Sequence, residues 1–211
     1  RRTPMNPPPS LPDDRWRAPE LVFWCLPIVA WFAFPGHLVL GSQILVTGLF
    51  AVSLDLLLGY AGIVSLGHAA FFGLGAYTAG LLAVHGWSEP LSGLLAGAGF
   101  AAVAGFATSI LVVRGRDLAR IMVTLGIGML LFEAANKAAF ITGGVDGLSG
   151  MVVGKLLGVL EFDLEGRVAY GYSLAVLFVV FVVLRRVVHS PFGLSLRGLR
   201  ENASRMHALG A

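Results

Sequence analysis

Residues 59–80, GYAGIVSLGHAAFFGLGAYTAG, are apolar enough to lie in a bilayer, yet they include six glycines, a serine, a histidine and two tyrosines. A helix that had only to cross lipid would not be built this way. Glycine inside a helix costs about 1 kcal/mol relative to alanine, so a run this rich in it points to close helix packing or a locally broken backbone. Irregular backbone at membrane depth survives only where protein or a water-filled cavity covers its polar groups. The stretch reads as part of a bundle interior or a conduit.

The chain around it has the composition of a membrane protein. Of its 211 residues, 56% are hydrophobic and 13% charged, where a soluble domain carries about 25% charged residues; mean hydropathy is +0.81. Runs almost free of charge recur at 21–34, 38–54, 91–113, 121–132 and 168–184. Crossing a bilayer takes roughly 20 apolar residues, with a range of about 17 to 25. A soluble helical core would need polar faces at helical period, and these runs have none. The expected fold is all-α: a polytopic transmembrane helical bundle of about six spans, near 20–35, 38–58, 66–86, 91–113, 118–139 and 168–184.

Residues 1–19, dominated by Pro and Arg, are expected to form a disordered cytoplasmic arm. Residues 20–184 then make the transmembrane domain and 185–211 a cytoplasmic loop and helix. With the N-terminus in the cytoplasm, 59–65, 114–117 and 185–211 lie inside, and the turns near 36, 87–90 and 140–167 lie outside. Of the 15 Lys and Arg residues, twelve fall inside (Arg1, Arg2, Arg15, Arg17, Arg114, Arg116, Arg120, Arg185, Arg186, Arg197, Arg200 and Arg205) and three outside (Lys137, Lys155 and Arg167). That asymmetry follows the positive-inside rule. Gly93, Gly97, Ala101 and Gly105 recur every fourth residue, a row of small side chains that lets helix backbones approach in lipid. The stretch ITGGVDGLSG (141–150) predicts a compact outer turn, and 151–166 a short interfacial helix.

Enzyme signatures are absent from the sequence. It has no HExxH, no paired cysteines, no G-x-S-x-G and no GxxxxGK[ST] phosphate loop. The lone Cys25 cannot close an internal disulfide, and the five histidines are scattered. Ionisable residues within spans are few, and such groups usually face the bundle or water. Asp55 either reaches the headgroups or lines the interior. Glu133 stands four residues before Lys137, the spacing of a helical ion pair. His68 either lines a path or bonds internally to helix backbone. After Arg185 and Arg186 the chain breaks at Ser190, Pro191 and Gly193. Leu196, Leu199, Met206 and Leu209 then alternate with Arg197, Arg200, Glu201 and Arg205. An amphipathic helix of this kind lies on lipid or docks into a partner's groove.

Three blocks together resemble the membrane permeases of branched-chain amino-acid ABC importers. GYAGIVSLGHAAFFGLGAYTAGLL (59–82) is similar to the family's glycine-rich signature, ITGGVDGLSG (141–150) to its outer TGG-x-x-GL turn, and SPFGLSLRGLRENASRMHALG (190–210) to its SPFGR-x-LRAIREN block. The resemblance covers about 38–211. It departs at Asp55, where asparagine is common, at Ile63, where glutamine is frequent, and at Met206 and His207, which replace a small residue and a glutamate. Family members normally continue past A-L-G, so the chain ending at Ala211 is expected to be truncated.

The resemblance implies a machine with several parts: this subunit, a second permease subunit, two cytoplasmic ATPase subunits and an extracytoplasmic substrate-binding protein, in a bacterial inner membrane. ATP would sit on the partner subunits, with no cofactor and no metal in this chain, and with lipid but no nucleic acid as surroundings. Gly59, Gly62, Ser65, His68, Phe71, Phe72, Gly73, Gly75 and Tyr77 are the expected translocation path. Arg197, Arg200, Glu201, Asn202 and Gly210 are the expected ATPase-coupling residues. Thr142, Gly143, Gly144, Asp146 and Gly147 form the outer loop facing the binding protein. Other readings are a related permease for urea, amides or other amino acids, and a noncatalytic membrane scaffold.

Overall fold

A computed structural model describes residues 18–115 and 117–208. Their helices are α1 (Ala18–Ala33), α2 (Leu38–Asp55), α3 (His68–Val84), α4 (Pro90–Arg114), α5 (Asp117–Lys137), the short α6 (Ala139–Thr142), α7 (Arg167–Val188) and α8 (Pro191–Ala208). Among the described residues no strand forms, only an isolated bridge between Leu156 and Leu160. The chain is an all-α membrane bundle.

Six apolar helices correspond to the six expected spans. The run Pro35–Tyr60, which contains α2, is long and apolar enough to cross a bilayer, as are α4, α5 and α7. α1 and α3 are shorter, at 16 and 17 residues. α3 starts at His68 rather than 66, and α7 runs past 184 to Val188, carrying Arg185 and Arg186 as its last basic turn.

Two tightly packed pairs organise the bundle, α2 with α7 and α3 with α4. In the first pair Leu38, Leu45, Tyr170 and Leu177 are buried together, with Trp24, Trp31, Leu49 and Leu174 packed around them. The Tyr170 hydroxyl donates to the Pro27 carbonyl at 2.9 Å. Trp24 meets Phe178 and Phe181 edge-on at 4.9 and 5.2 Å, which fastens α1 to α7. Elsewhere large apolar side chains face outward, among them Phe106 and Val103 of α4, a surface suited to hydrocarbon rather than water.

The second pair depends on missing side chains. A Cβ on Gly97 of α4 would lie 2.6 Å from the Gly75 carbonyl of α3, and Gly93 and Ala101 continue that contact. Gly105, the fourth member of the row, faces open space. Without hydrophobic drive between helices in lipid, this backbone-to-backbone approach supplies the van der Waals contact that joins them.

The expected interfacial helix at 151–166 does not form. Leu157 (φ 52°) and Gly158 (φ 73°) turn the chain back on itself, so that the Leu156 N–H donates to the Leu160 carbonyl at 2.8 Å. Gly154 and Gly158 favour such a turn, and too few good helix formers remain between them to nucleate a helix. The Glu133–Lys137 pair does form, at 3.5 Å on an exposed face, where such pairs contribute little.

Gly97→Ala is expected to force α3 and α4 apart and cost about 1–3 kcal/mol, lowering the melting temperature in detergent. Gly105→Ala, with room for its methyl, should melt like the parent. Equal melting of the two variants would refute the packing role of the Gly75–Gly97 contact.

Candidate functional site

The glycine-rich signature is where the helical backbone breaks. α2 passes into a five-residue π-helical turn, Leu56–Tyr60, and the chain then runs without helix through residues 61–67 until α3 begins. Gly62 sits at φ +68°, a conformation that other residues adopt at a cost. Asp55 is exposed, and its carboxylate lies against Gly59. The sequence places 59–65 in an inner turn, but the structure carries the end of this segment into the bundle. The Leu66 N–H donates to Thr124 Oγ1 of α5 at 3.2 Å. Thr124 lies roughly 10 Å along α5 from its start, at 1.5 Å per residue.

Three elements clothe the break. Thr124 is 5% exposed and donates its own proton to the Ile121 carbonyl at 2.9 Å, leaving its oxygen to receive Leu66. Gly67 is pressed against the Thr124 carbonyl and Gly128, with no space for a side chain. On the α2 side, Ser53 Oγ lies 2.8 Å from His68 Nε2 and 2.7 Å from the Phe50 carbonyl. A serine has one proton. Given to the carbonyl, it leaves Nε2–H of His68 as the donor to Ser53, the tautomer we assign. His68 therefore bonds to a side chain rather than to helix backbone. Its ring also rests on Phe50 at 5.2 Å, and Phe50 meets Phe72 at 5.5 Å.

The expected path residues do not share one surface. Phe71, Phe72 and Gly75 line a cavity of about 350 Å³ between α2, α3, α4 and α7. Its lining is apolar apart from Ser173. Gly73 and Tyr77 lie on the other side of α3, in a cleft of about 370 Å³ against α5 that includes Leu66, Gly128 and Asn136. Gly62 and Ser65 belong to the break itself, Gly59 to the π-helical turn before it and His68 to the start of α3 after it.

The end that holds Arg185 collects charge. Arg185 pairs with Glu20, joining the end of α7 to the start of α1, and both border a pocket of about 200 Å³ with Asp55, Tyr60 and His189. Arg197 and Arg200 reach from α8 to the break: one guanidinium stands 5.0 Å from the Tyr60 ring centroid, and the other donates to the Gly59 carbonyl. Glu201 is exposed. The side chain of Asn202, and Gly210 entirely, lie outside the described residues. At the opposite end the compact turn forms as expected, with Gly143, Gly144 and Gly147 at positive φ around Asp146. Thr142 ties it down, donating to the Ala135 carbonyl at 2.5 Å and accepting from the Gly144 N–H at 3.3 Å. No cluster of metal-ligating side chains occurs among the described residues.

Ser53, Thr124, Tyr60 and the Glu20–Arg185 pair were not singled out by sequence reasoning. The available signal was polar residues within apolar runs, where serine and threonine commonly bond to their own helix and so betray no longer-range partner.

Thr124→Val keeps the shape of the side chain but strands the Leu66 N–H, a loss of about 1–3 kcal/mol for a buried donor. Amide hydrogen exchange across 61–67 should accelerate in Thr124→Val and return toward the parent in Thr124→Ser. Identical exchange in all three proteins would show that Thr124 does not hold the segment.

Comparison with known proteins adds to this geometry. Residues 39–211 match the family described as branched-chain amino acid transport system / permease component. Similar relatives include the high-affinity branched-chain amino acid transport system permease protein LivM of Escherichia coli, 29% identical over 77% of this chain and 43% of the relative. LivM of Salmonella typhimurium is 28% identical over 86% of this chain and 48% of the relative. The chain thus spans a little under half the length of these curated relatives. No solved structure matches. The match takes in the break, the outer turn and α8 together, and the chain belongs to the family of permease components of branched-chain amino acid transport systems.

Proposed function

We propose that the chain is a permease subunit of an ATP-driven importer that passes branched-chain, hydrophobic amino acids across a bacterial inner membrane. The observation that carries this reading is the family match over residues 39–211, supported by relatives whose name specifies high-affinity branched-chain amino acid transport. The apolar cavity between α2, α3, α4 and α7 supports the substrate class, because it offers aliphatic and aromatic contacts and one hydroxyl. Close packing of α3 on α4, beside a break whose far end is bonded to Thr124, suits a subunit that carries irregular backbone within a bundle.

Transport of this kind needs no covalent chemistry from the permease. Ligand and nucleotide states shift populations between inward- and outward-open forms. The sequence has no phosphate-binding loop, so ATP is assigned to two cytoplasmic ATPase subunits, with a second permease subunit completing the conduit. A binding protein would deliver substrate at the outer turn 142–147. α8 is the element offered to the ATPases, with Glu201 on its exposed surface.

The test is reconstitution of the full-length gene product with its second permease, ATPases and binding protein in proteoliposomes. Leucine, isoleucine and valine should accumulate only with ATP and binding protein together. A complete assembly that hydrolyses ATP and imports none of the three would overturn the substrate assignment.

A further inference from the structure

Arg197 and Arg200 are two of the three arginines of α8, and an amphipathic helix of this sort would ordinarily turn such residues toward solvent or an acidic partner. Here both are turned onto their own chain. Arg200 donates to the Gly59 carbonyl, and its aliphatic stem runs along Gly62, where a Cβ would stand 2.7 Å from the arginine Cγ. Arg197, one helical turn earlier, holds its guanidinium 5.0 Å from the Tyr60 ring centroid. Residues 59, 60 and 62 are therefore each held from α8. The far end of the same segment is held by Thr124 through Leu66 and by Ser53 through His68.

We infer that Arg197 and Arg200 are positioning residues that latch α8 onto the π-helical turn and Gly62, and that release of this latch raises the access of water to the half-buried part of the break, Ser65 included, from the side where α8 lies. Within residues 61–67 the Ala61 and Ile63 N–H groups donate to the Leu56 and Leu57 carbonyls of the π-helical turn, and Leu66 donates to Thr124, so the order of the segment depends on that turn at one end and on α5 at the other. At one end the grip is a buried threonine deep in the bundle. At the other the segment hangs from the π-helical turn, which α8 holds by a charge-assisted hydrogen bond and a cation–π contact. Segments with so few fixed contacts are the ones that open locally while the rest of a fold stays intact. The latch rests on geometry and not on the importer reading; only its consequence for transport depends on that reading.

The measurement is labelling of Ser65→Cys by a membrane-impermeant maleimide, in a background where Cys25 and every other cysteine of the complex that the reagent labels is replaced by serine. It uses the assembled full-length complex in liposomes without nucleotide. Ser65 is half-buried in the break, so its labelling rate reports opening directly. Arg200→Ala should raise the rate about tenfold, equivalent to 1.4 kcal/mol of local stability, with a smaller rise for Arg197→Ala. Arg200→Lys, which keeps the stem and the charge, should label near the parent rate. Leu177→Ala, a truncation in the α2–α7 core, should lower the melting temperature and leave labelling unchanged. An Arg200→Ala rate equal to the parent's would overturn the latch, as would Leu177→Ala raising labelling to the same extent. Because the readout needs neither substrate nor ATP, its failure is distinct from a failure of the uptake experiment.

Discussion

Hydrocarbon offers no partners to a peptide group, and between Ala61 and Gly67 this chain takes its backbone through the bundle without a helical ladder to supply them. The hydrogen bond from Leu66 to Thr124 answers that requirement near the end of the segment, as the bonds from Ala61 and Ile63 to the Leu56 and Leu57 carbonyls do at its start. Much of the surrounding arrangement follows from it. α5 must stand close enough for Thr124 to reach, which Gly67 and Gly128 permit by having no side chains. α3 must begin afresh at His68, which Ser53 then orients from α2.

The same constraint separates the bundle into two units joined by a few specific contacts. α2 and α7 share a conventional buried core of Leu38, Leu45, Tyr170 and Leu177. α3 and α4 are joined instead by glycine-to-glycine approach. Between the units lie an apolar cavity, the Ser53–His68 hydrogen bond, the Tyr172 hydroxyl donating to the Pro90 carbonyl at 3.2 Å, and the contacts of Phe50 with His68 and Phe72. Cores of tightly packed aliphatic and aromatic side chains are stiff, while an interface made of few contacts around a void can rearrange at modest cost. A permease component has use for both.

The spans were legible in the sequence because hydropathy and length report directly on the cost of placing residues in lipid. The break was legible as an excess of glycine, and the α3–α4 contact as a four-residue repeat, although Gly105 belongs to the repeat and not to the contact. What glycine content could not reveal was the partner: Thr124 lies 58 residues from Leu66, inside a run that reads as featureless membrane helix. Nor could the amphipathic pattern of α8 reveal which surface its arginines meet, since period defines a face and says nothing of what covers it. The path residues in 59–80 were grouped by adjacency along the chain, but one helix turns Phe72 and Tyr77 toward different cavities. The interfacial helix expected at 151–166 failed for a local reason, two glycines and a turn within a short stretch of moderate hydrophobicity.

α3 is also informative about how such a bundle is assembled during synthesis. With 17 residues, one of them a histidine and several of them glycine, it sits at the short end of what partitions into a bilayer by itself. α4 follows after a five-residue connection, 85–89, is 25 residues long, and presents the glycine row that α3 needs. The two are suited to leave the translocation machinery as one antiparallel hairpin, with the longer helix carrying the shorter into lipid. The close glycine contact would then serve membrane insertion before it serves the finished fold.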